Sequence, residues 1–364
     1  MSKRFWATVV SLMLLLGLLA SAGCGTSQPT SHENNAQPIT LQAEQKTALN
    51  PKAQAMEKAL MEQLQPMPQM NTGDKIGVLV ISLTNPYWVG MRDAYLAVAK
   101  DLGVAVDVAS APTEGDTKSQ LETLEAMTAK DYKAMILSPI EPFNLVPGVV
   151  KANQKGIKVV NLGPPIDPAT LRQAGGHLDG KITVDFEEQG AMAARYIVDK
   201  IGSDGGKVAI IQGIPGAGQS EGRTNGARKV FEQSKGINLV SIQPGNWDRN
   251  TAYNIATNLV QAHSDLKAIF CCNDVMALAA ADALEAAGKR QGKIVFGVDF
   301  IQQAQEAIKA GKLDGSIAYS SKVYARAGLI LAMKAVQGHT LPAAVYSPLA
   351  AVTRENVGEF ENWQ

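Results

Sequence analysis

An asparagine and two aromatic residues follow the first long apolar run after the N-terminal region. The run, Ile76–Leu83, predicts a buried strand, and Asn85, Tyr87 and Trp88 come just after it. Apolar residues then recur at helical spacing, with Asn85 suited to cap the helix and Pro86 to its first position. Ligands of open α/β sheets bind at the carboxyl ends of the strands. Two flat rings beside an amide therefore predict a site for a small polyhydroxylated molecule.

Other polar and aromatic residues stand just after predicted strands or near a helix start, farther along the chain. Each has a structural alternative: Asn273 and Asp299 could be helix N-caps, Arg223 could be a solvated cation, and Trp247 could be a core ring. Because together they occupy corresponding ends of successive strands, we expect them to share one binding site. The set is Arg223, Trp247, Asn273, Asp299 and Tyr319.

Residues suited to catalysis or metal binding do not form a motif in this chain. The four histidines stand outside any motif, and no nucleophile has a partner base at a recognisable spacing. The glycine-rich segment Gly213–Gly218 lacks the ending of a phosphate loop and the spacing of a dinucleotide fingerprint, so it predicts a turn between strand and helix. No Cys/His cluster has zinc spacing, and no acidic loop has EF-hand spacing. We therefore expect no enzymatic activity, no cofactor and no metal.

The N-terminus has the pattern of an export signal. Lys3 and Arg4 precede the apolar run Phe5–Ala20, which is shorter than the ~20 residues of a membrane span and is followed by small residues. The sequence around Cys24 resembles a bacterial lipobox, with Ser21 where that pattern prefers Leu. We expect Cys24 to be lipidated, which would anchor the protein outside the cytoplasm, at the cell surface or in the periplasm. The alternative is an ordinary cleaved signal with an incidental cysteine.

Composition bounds the remaining possibilities. The 364 residues leave room for about two domains. The 34 basic and 34 acidic residues balance, so no basic surface indicates binding to nucleic acid. Cys271 and Cys272 are adjacent, and we expect buried thiols, with a rare vicinal disulfide as the alternative. Residues 25–73 predict a polar tether with a short helix from Asn50 to Gln65.

From Lys75 onward, apolar runs alternate with helical segments, which predicts parallel sheets with helices on both faces. The segment from Lys207 repeats the pattern of the segment from Lys75. The fold class predicted is therefore α/β, with two similar doubly wound lobes and the site in the cleft between them. The predicted strands are Ile76–Leu83, Val104–Ala109, Ala134–Leu137, Lys158–Leu162, Lys207–Gln212, Leu239–Ile242, Ala268–Cys271, Ile294–Val298 and Ser316–Ala318.

Five motifs in order resemble the ribose-binding (type I) family of bacterial periplasmic binding proteins, the solute receptors of sugar ABC importers. The resemblance covers Lys75 to about Glu355. It rests on Asn85-Pro86-Tyr87-Trp88, Gly222-Arg223-Thr224-Asn225-Gly226, Trp247-Asp248-Arg249, Asn273-Asp274-Val275-Met276-Ala277 and Gly297-Val298-Asp299. The resemblance implies ligand roles for the residues named above, with Tyr319 where the family often has a glutamine.

The same resemblance implies two lobes joined by three crossovers that form a hinge. We expect the crossings at Lys181–Asp185, Tyr319–Lys322 and Tyr346–Pro348. The N-terminal lobe would then comprise residues 74–184 and 320–347, and the C-terminal lobe residues 185–319 and 348–364. The expected protein is a monomer that binds a neutral ligand and passes it to an ABC permease and ATPase.

The chain departs from the sugar-binding pattern at one place. Where those members commonly have Asp-Arg after a strand, this chain has Gly163-Pro164. The change removes hydrogen-bonding groups for ring hydroxyls, so the ligand could have fewer hydroxyls, be a polyol or be bulkier. Asn161 and Asp185 could compensate for the loss.

Three other functions remain open at this stage. A sensor subunit for a chemoreceptor or histidine kinase would have the same fold, and only a neighbouring permease and ATPase gene would distinguish it. A secreted α/β enzyme would need a nucleophile and base, which the sequence does not offer. A transcription regulator of this fold would need an N-terminal helix-turn-helix where the export signal stands.

Overall fold

Two six-stranded sheets organise the protein, each with helices packed against it. The computed structural model describes residues 50–361 and Trp363, which belong to one compact unit beginning at Thr47. The predicted export signal, Cys24 and residues 25–49 of the predicted tether lie outside the described residues.

The first described element is a helix, α1 (Pro51–Gln63), and it confirms the predicted short helix. The side chain of Asn50 accepts a hydrogen bond from the backbone N–H of Lys52, and Pro51 occupies the first helical position. Ala53 and Leu60 of α1, and Leu64 just after it, are almost fully buried, so the helix packs on the body of the protein.

The N-terminal sheet has the strand order β2-β1-β3-β4-β5-β11, and all its neighbouring strands are parallel. Its first strand is buried at every position after Lys75, as expected for a parallel strand covered on both faces. The strands are β1 (Lys75–Ser82), β2 (Ala105–Ala111), β3 (Ala134–Leu137), β4 (Lys158–Leu162), β5 (Gly180–Thr183) and β11 (Val345–Tyr346). The helices of this lobe are α2 (Pro86–Leu102), α3 (Thr117–Met127), α4 (Val146–Gln154), α5 (Pro168–Gln173) and α11 (Ser321–Val336).

The C-terminal sheet repeats this arrangement in the order β7-β6-β8-β9-β10-β12, except that β12 is antiparallel to β10. Its strands are β6 (Gly206–Gln212), β7 (Ile237–Pro244), β8 (Leu266–Cys271), β9 (Ile294–Val298), β10 (Gly315–Ala318) and β12 (Ala350–Thr353). Its helices are α6 (Phe186–Ile201), α7 (Gly218–Gln233), α8 (Arg249–Ala262), α9 (Asp274–Ala286) and α10 (Gln302–Lys309), with short 3₁₀ helices at Gly202–Asp204 and Val357–Phe360.

The two sheets confirm the predicted fold class. The chain passes between them three times: after β5, after β10, and between β11 and β12. Three strands were not among those predicted from apolar runs, namely β5, β11 and β12. They have only two to four residues each, and pairing with a neighbouring strand is what defines them. The segment predicted as the first crossing is therefore partly a strand.

Candidate ligand-binding site

All eight residues predicted to bind a ligand line one cavity between the carboxyl ends of the two sheets. Six further residues complete the wall. The fourteen lining residues are Asn85, Tyr87, Trp88, Glu114, Gly163, Pro164, Phe186, Gln219, Arg223, Trp247, Asn273, Asp299, Tyr319 and Tyr324.

Arg223 forms a buried ion pair with Asp299 at the centre of the cavity wall. Both side chains are about 5 % exposed, and Nη2 of Arg223 lies 2.9 Å from Oδ1 of Asp299. Nη2 also donates to the hydroxyl of Tyr319 at 3.2 Å, and that hydroxyl donates to Asp299 at 3.1 Å. A buried guanidinium that is held on several sides is rigid, so it can present its remaining N–H to a ligand in a fixed direction.

The other two nitrogens of the Arg223 guanidinium also have hydrogen-bond acceptors. Nε donates to Oε1 of Gln189 at 2.8 Å, and Nη1 donates to the backbone carbonyl of Cys272 at 2.7 Å. Burial is the largest single influence and lowers the pKa of the Arg223 guanidinium, but the nearby groups, led by the carboxylate of Asp299, together outweigh it and raise that pKa. Burial likewise raises the pKa of Asp299, while Arg223 opposes the increase. The two opposite charges therefore stabilise each other, and the pair as a whole carries no net charge.

Asn85 and Asn273 each cap the helix that follows a strand and line the cavity. Oδ1 of Asn85 accepts from the backbone N–H of Tyr87 at 3.0 Å, and Oδ1 of Asn273 accepts from that of Met276 at 2.9 Å. In each case the oxygen stabilises the helix and leaves side-chain N–H groups to donate elsewhere, although Asn85 donates one of its two to Glu114. The structural and functional interpretations of these residues are thus compatible, because the amide oxygen can cap the helix while the amide nitrogen donates to a ligand.

Glu114 is a charged lining residue that sequence reasoning missed. It follows β2, and Nδ2 of Asn85 donates to its Oε1 at 3.1 Å. Burial raises the pKa of this carboxyl to about 7, with a smaller contribution from Asp299, while hydrogen bonding by Asn85 and Trp88 opposes the increase. Glu114 lies three residues beyond the observed end of β2 at Ala111, but the predicted strand ended at Ala109, so the strand-end criterion did not reach it.

Aromatic rings form much of the remaining wall. Tyr87 lies edge-on to Trp88, with ring centroids 4.8 Å apart, and Tyr319 lies 5.5 Å from Tyr87 and 5.9 Å from Tyr324. Phe186, which sequence reasoning also missed, stacks near the guanidinium of Arg223 at 5.8 Å. These faces can cover the apolar C–H surface of a ligand and exclude water.

Trp247 reaches the cavity through an unusual backbone conformation. Its φ is +62°, and that of the preceding Asn246 is +56°. Positive φ is rare for such residues and is retained where the surroundings enforce it, often at functional sites. Asp248, the next residue, caps α8 through the backbone N–H of Thr251 at 2.7 Å, which fixes the end of this turn.

Close packing of α6 against α7 brings Phe186 and Arg223 together. Glycines occur where the two helices touch: a Cβ at Gly190 or Gly226 would overlap the backbone of the other helix, and one at Gly222 would lie 2.5 Å from Cβ of Phe186. The segment Gly213–Gly218 connects β6 to α7, as the predicted strand–helix turn requires.

Gly163 and Pro164 line the cavity at the position of the family's Asp-Arg pair. A Cβ at Gly163 would lie 3.7 Å from the hydroxyl of Tyr324 and 3.9 Å from that of Ser138. The hydroxyl of the buried Tyr324 therefore lies at ordinary contact distance from where a side chain at Gly163 would begin. This side of the cavity is more aromatic and less charged than the family pattern implies.

The two residues expected to compensate for that pair do not line this cavity. The side chain of Asn161 donates to the backbone carbonyl of Pro164 at 2.8 Å and accepts from the N–H of Ile166 at 3.2 Å. Asp185 caps α6 through the N–H of Glu188 at 2.9 Å. Their contacts thus shape the loop after β4 and the start of α6, and a direct ligand role for either residue finds no support.

The described residues also bear on the two adjacent cysteines, on metal binding and on membrane-spanning helices. Cys271 and Cys272 are both buried free thiols, and burial raises the pKa of Cys272 to about 11. Within residues 50–361, no group of three or more His, Cys, Asp or Glu side chains is arranged to hold a metal ion. Within the same range, no helix is both long and apolar enough to cross a membrane.

Comparison with known proteins identifies the family. Residues 76–340 match the family described as periplasmic binding protein domain. The chain belongs to this family of periplasmic binding proteins. It is 40% identical to the D-allose-binding periplasmic protein of Escherichia coli, over 73% of this chain and 86% of that protein. It is 28% identical to the ribose import binding protein of Bacillus subtilis, over 78% and 90% of the two chains.

Solved structures of periplasmic binding proteins share the two-lobed fold. An ABC transporter periplasmic solute binding protein from Actinobacillus succinogenes with bound D-allose has a TM-score of 0.74 and 30% identity, covering 78% of this chain and 99% of that one. A solute binding protein from Bacillus halodurans with bound myo-inositol has a TM-score of 0.72 and 25% identity, covering 81% and 99%. The resemblance inferred from the five motifs is thereby confirmed.

Proposed function

We propose that this protein captures a small polyhydroxylated ligand, a sugar or sugar alcohol, between its lobes and delivers it to an ABC importer. The observation that carries the proposal is the buried Arg223–Asp299 pair at the centre of an aromatic cavity. A ligand hydroxyl both donates and accepts, so it suits a fixed carboxylate beside a fixed guanidinium. The relatives that bind D-allose and ribose support the same class of ligand.

The eight predicted residues would make three kinds of contact with the ligand. Arg223 and Asp299 exchange hydrogen bonds with ligand hydroxyls, each contributing about 1.5–3 kcal/mol net for a charged partner. The amides of Asn85 and Asn273 donate to further hydroxyls. The rings of Tyr87, Trp88, Trp247 and Tyr319 cover the ligand's C–H faces and exclude water. Since these groups bind and orient without transferring a proton or bond, the proposed function is not enzymatic.

Closure of the lobes couples binding to delivery. The three connections between the sheets allow rotation, and a ligand that contacts both lobes favours the closed form. We place the N-terminal lobe at residues 74–184 and 320–347, and the C-terminal lobe at residues 185–319 and 348–364. The closed form of a monomer would be what the permease recognises. The proposed location is outside the cytoplasm, with lipid on Cys24 as the membrane anchor.

A thermal-shift screen of the purified protein tests the ligand class. The panel contains sugars, polyols, cyclitols, nucleosides, sugar phosphates and dicarboxylates. We expect a sugar or polyol to raise the melting temperature in a dose-dependent way, because a ligand that binds only the folded state stabilises it. A response confined to sugar phosphates or dicarboxylates would contradict the proposal. Loss of ligand uptake on deletion of the gene would separate transport from sensing.

A further inference from the structure

Glu114 adds a second carboxylate to the cavity, and no cation of the chain balances it. The charged lining residues are Glu114, Arg223 and Asp299. Arg223 is paired with Asp299 at 2.9 Å. Among the described residues, no Lys, Arg or His forms an ion pair with Glu114, whose hydrogen-bond donors are the neutral side chains of Asn85 and Trp88. An ionised Glu114 would therefore give the empty cavity one net negative charge.

The cavity that Glu114 lines offers oxygen acceptors for a positively charged group in a ligand. One carboxylate oxygen, Oε1, accepts from Asn85, and the carboxylate can accept further bonds. Gln219 also lines the cavity, and its buried Oε1 has no hydrogen-bond partner in the described part of the chain. An ammonium group has three N–H donors and needs several acceptors of this kind.

The aromatic wall adds attraction for the same charge. Six of the fourteen lining residues carry aromatic rings, and a cation within about 6 Å of a ring face is stabilised by the ring quadrupole. A neutral ligand would use these rings only as apolar cover and could donate a hydroxyl to Glu114, but it would not compensate the charge of an ionised carboxylate. An ammonium group satisfies the carboxylate and the ring faces together.

We propose that the preferred ligand carries an amino group, as an amino sugar or an amino-substituted polyol does, and that Glu114 selects it by accepting from the ammonium. This inference rests on the proposed function and narrows it. It differs from the neutral ligand expected from the sequence, because Glu114 was not among the residues expected to line the site.

The ionisation of Glu114 gives the proposal a second readout. Burial places its pKa at about 7, with Asp299 adding to the increase and Asn85 and Trp88 opposing it. A protonated carboxyl pairs poorly with an ammonium group, so the affinity for an amino ligand should rise as the pH passes through this value. The neutral counterpart of the same ligand should not show this rise.

Calorimetry on matched pairs tests the inference. The pairs are D-glucosamine with D-glucose, D-allosamine with D-allose, and an inosamine with myo-inositol. In at least one pair we expect the amine to bind about tenfold more tightly than its neutral partner. Glu114→Gln should abolish that preference, whereas Glu122→Gln, at an exposed surface pair on α3, should retain it. Between pH 5.5 and 7.5 the affinity for the amine should rise about tenfold.

The outcomes separate the inference from the proposed function. Binding of neutral sugars as tight as that of their amines would overturn the inference and leave the proposed function intact. An amine preference that persists in Glu114→Gln would also overturn it. If that variant does not fold, a pH-independent affinity of the unmodified protein for the amine has the same meaning. Binding of no sugar, polyol or amine would overturn both.

Discussion

The indole ring of Trp247 occupies the space that a side chain at Gly213 would need. A Cβ built at Gly213 would overlap the six-membered part of the ring. Gly213 directly follows β6, while Trp247 stands in the turn after β7 at a φ of +62°. The absence of a side chain at one strand end thus allows a ring from the neighbouring strand end to lie over it and reach the cavity.

Replacing Gly213 should therefore impair binding through Trp247. In Gly213→Ala the methyl group displaces the ring, and we expect affinity for the ligand to fall about tenfold or more, because misplaced contact groups lose both stacking and water exclusion. Calorimetry with the ligand found in the screen measures the effect. Gly90→Ala is the control, since a Cβ at Gly90 meets no atom within 4 Å. Equal affinities in the two variants would contradict the steric argument.

The central ion pair and the aromatic face should carry the binding energy. Asp299→Ala leaves Arg223 and the ligand hydroxyls short of an acceptor, which costs on the order of 2–5 kcal/mol, or at least about tenfold in affinity. Trp247→Ala should also weaken binding. Asp299→Asn keeps the shape if the alanine variant proves unstable, and Arg172→Ala, outside the cavity, should change little. Folded Asp299 and Trp247 variants with unchanged affinity would place the site elsewhere.

Glu114 should make stability depend on pH. The pKa of its carboxyl is raised from 4.5 to about 7 in the folded protein, so folding favours the protonated form. The unfolded state therefore binds fewer protons than the native state across this window, and the free energy of unfolding falls as the pH rises from 4.5 to 7. Glu114→Gln should remove this part of the pH dependence in urea unfolding without ligand. A curve parallel to that of the unmodified protein would argue against the raised pKa.

Helix α1 should depend on a buried lysine of the N-terminal lobe. Nζ of Lys334 donates to the backbone carbonyls of Leu64 at 3.0 Å and Pro66 at 3.1 Å. Lys334→Met leaves these carbonyls without their donor, and we expect the free energy of unfolding to fall by about 1–3 kcal/mol. Urea unfolding measures the loss. Lys118→Met, at an exposed pair with Glu122, should cost less than about 1 kcal/mol, and an equal loss in both would show that the buried contacts contribute little.

The N-terminal cysteine should decide membrane attachment. In cells given labelled palmitate, we expect the label on the unmodified protein and its loss in Cys24→Ser, because the thiol is the acceptor of the lipid. A protein without its acyl chains loses this membrane anchor, so the variant should also appear in the soluble fraction. A mature N-terminus that maps to another residue and carries no lipid would refute the anchor.

Much of the site was predictable because strand ends have a simple signature in the sequence. Asn85, Asn273 and Asp299 each follow a buried apolar strand at a distance of one to three residues, and parallel strands bring such ends to one edge. The same rule missed Glu114, because the predicted strand ended at Ala109 whereas β2 continues to Ala111. It could not select Tyr324, which lies on α11 and reaches the cavity because the chain returns to the N-terminal lobe.

The sequence by itself determined the alternation of strands and helices, the caps at Asn85 and Asn273, and the five motifs of the family. These features depend on local periodicity and backbone hydrogen bonding, which neighbours along the chain decide. Only the tertiary structure decided that Asn161 and Asp185 serve loops and caps, that Tyr324 lies beside Gly163, and that Glu114 has no cation. Charge balance and steric fit depend on residues that are far apart in sequence, so folding of the two lobes is what sets them.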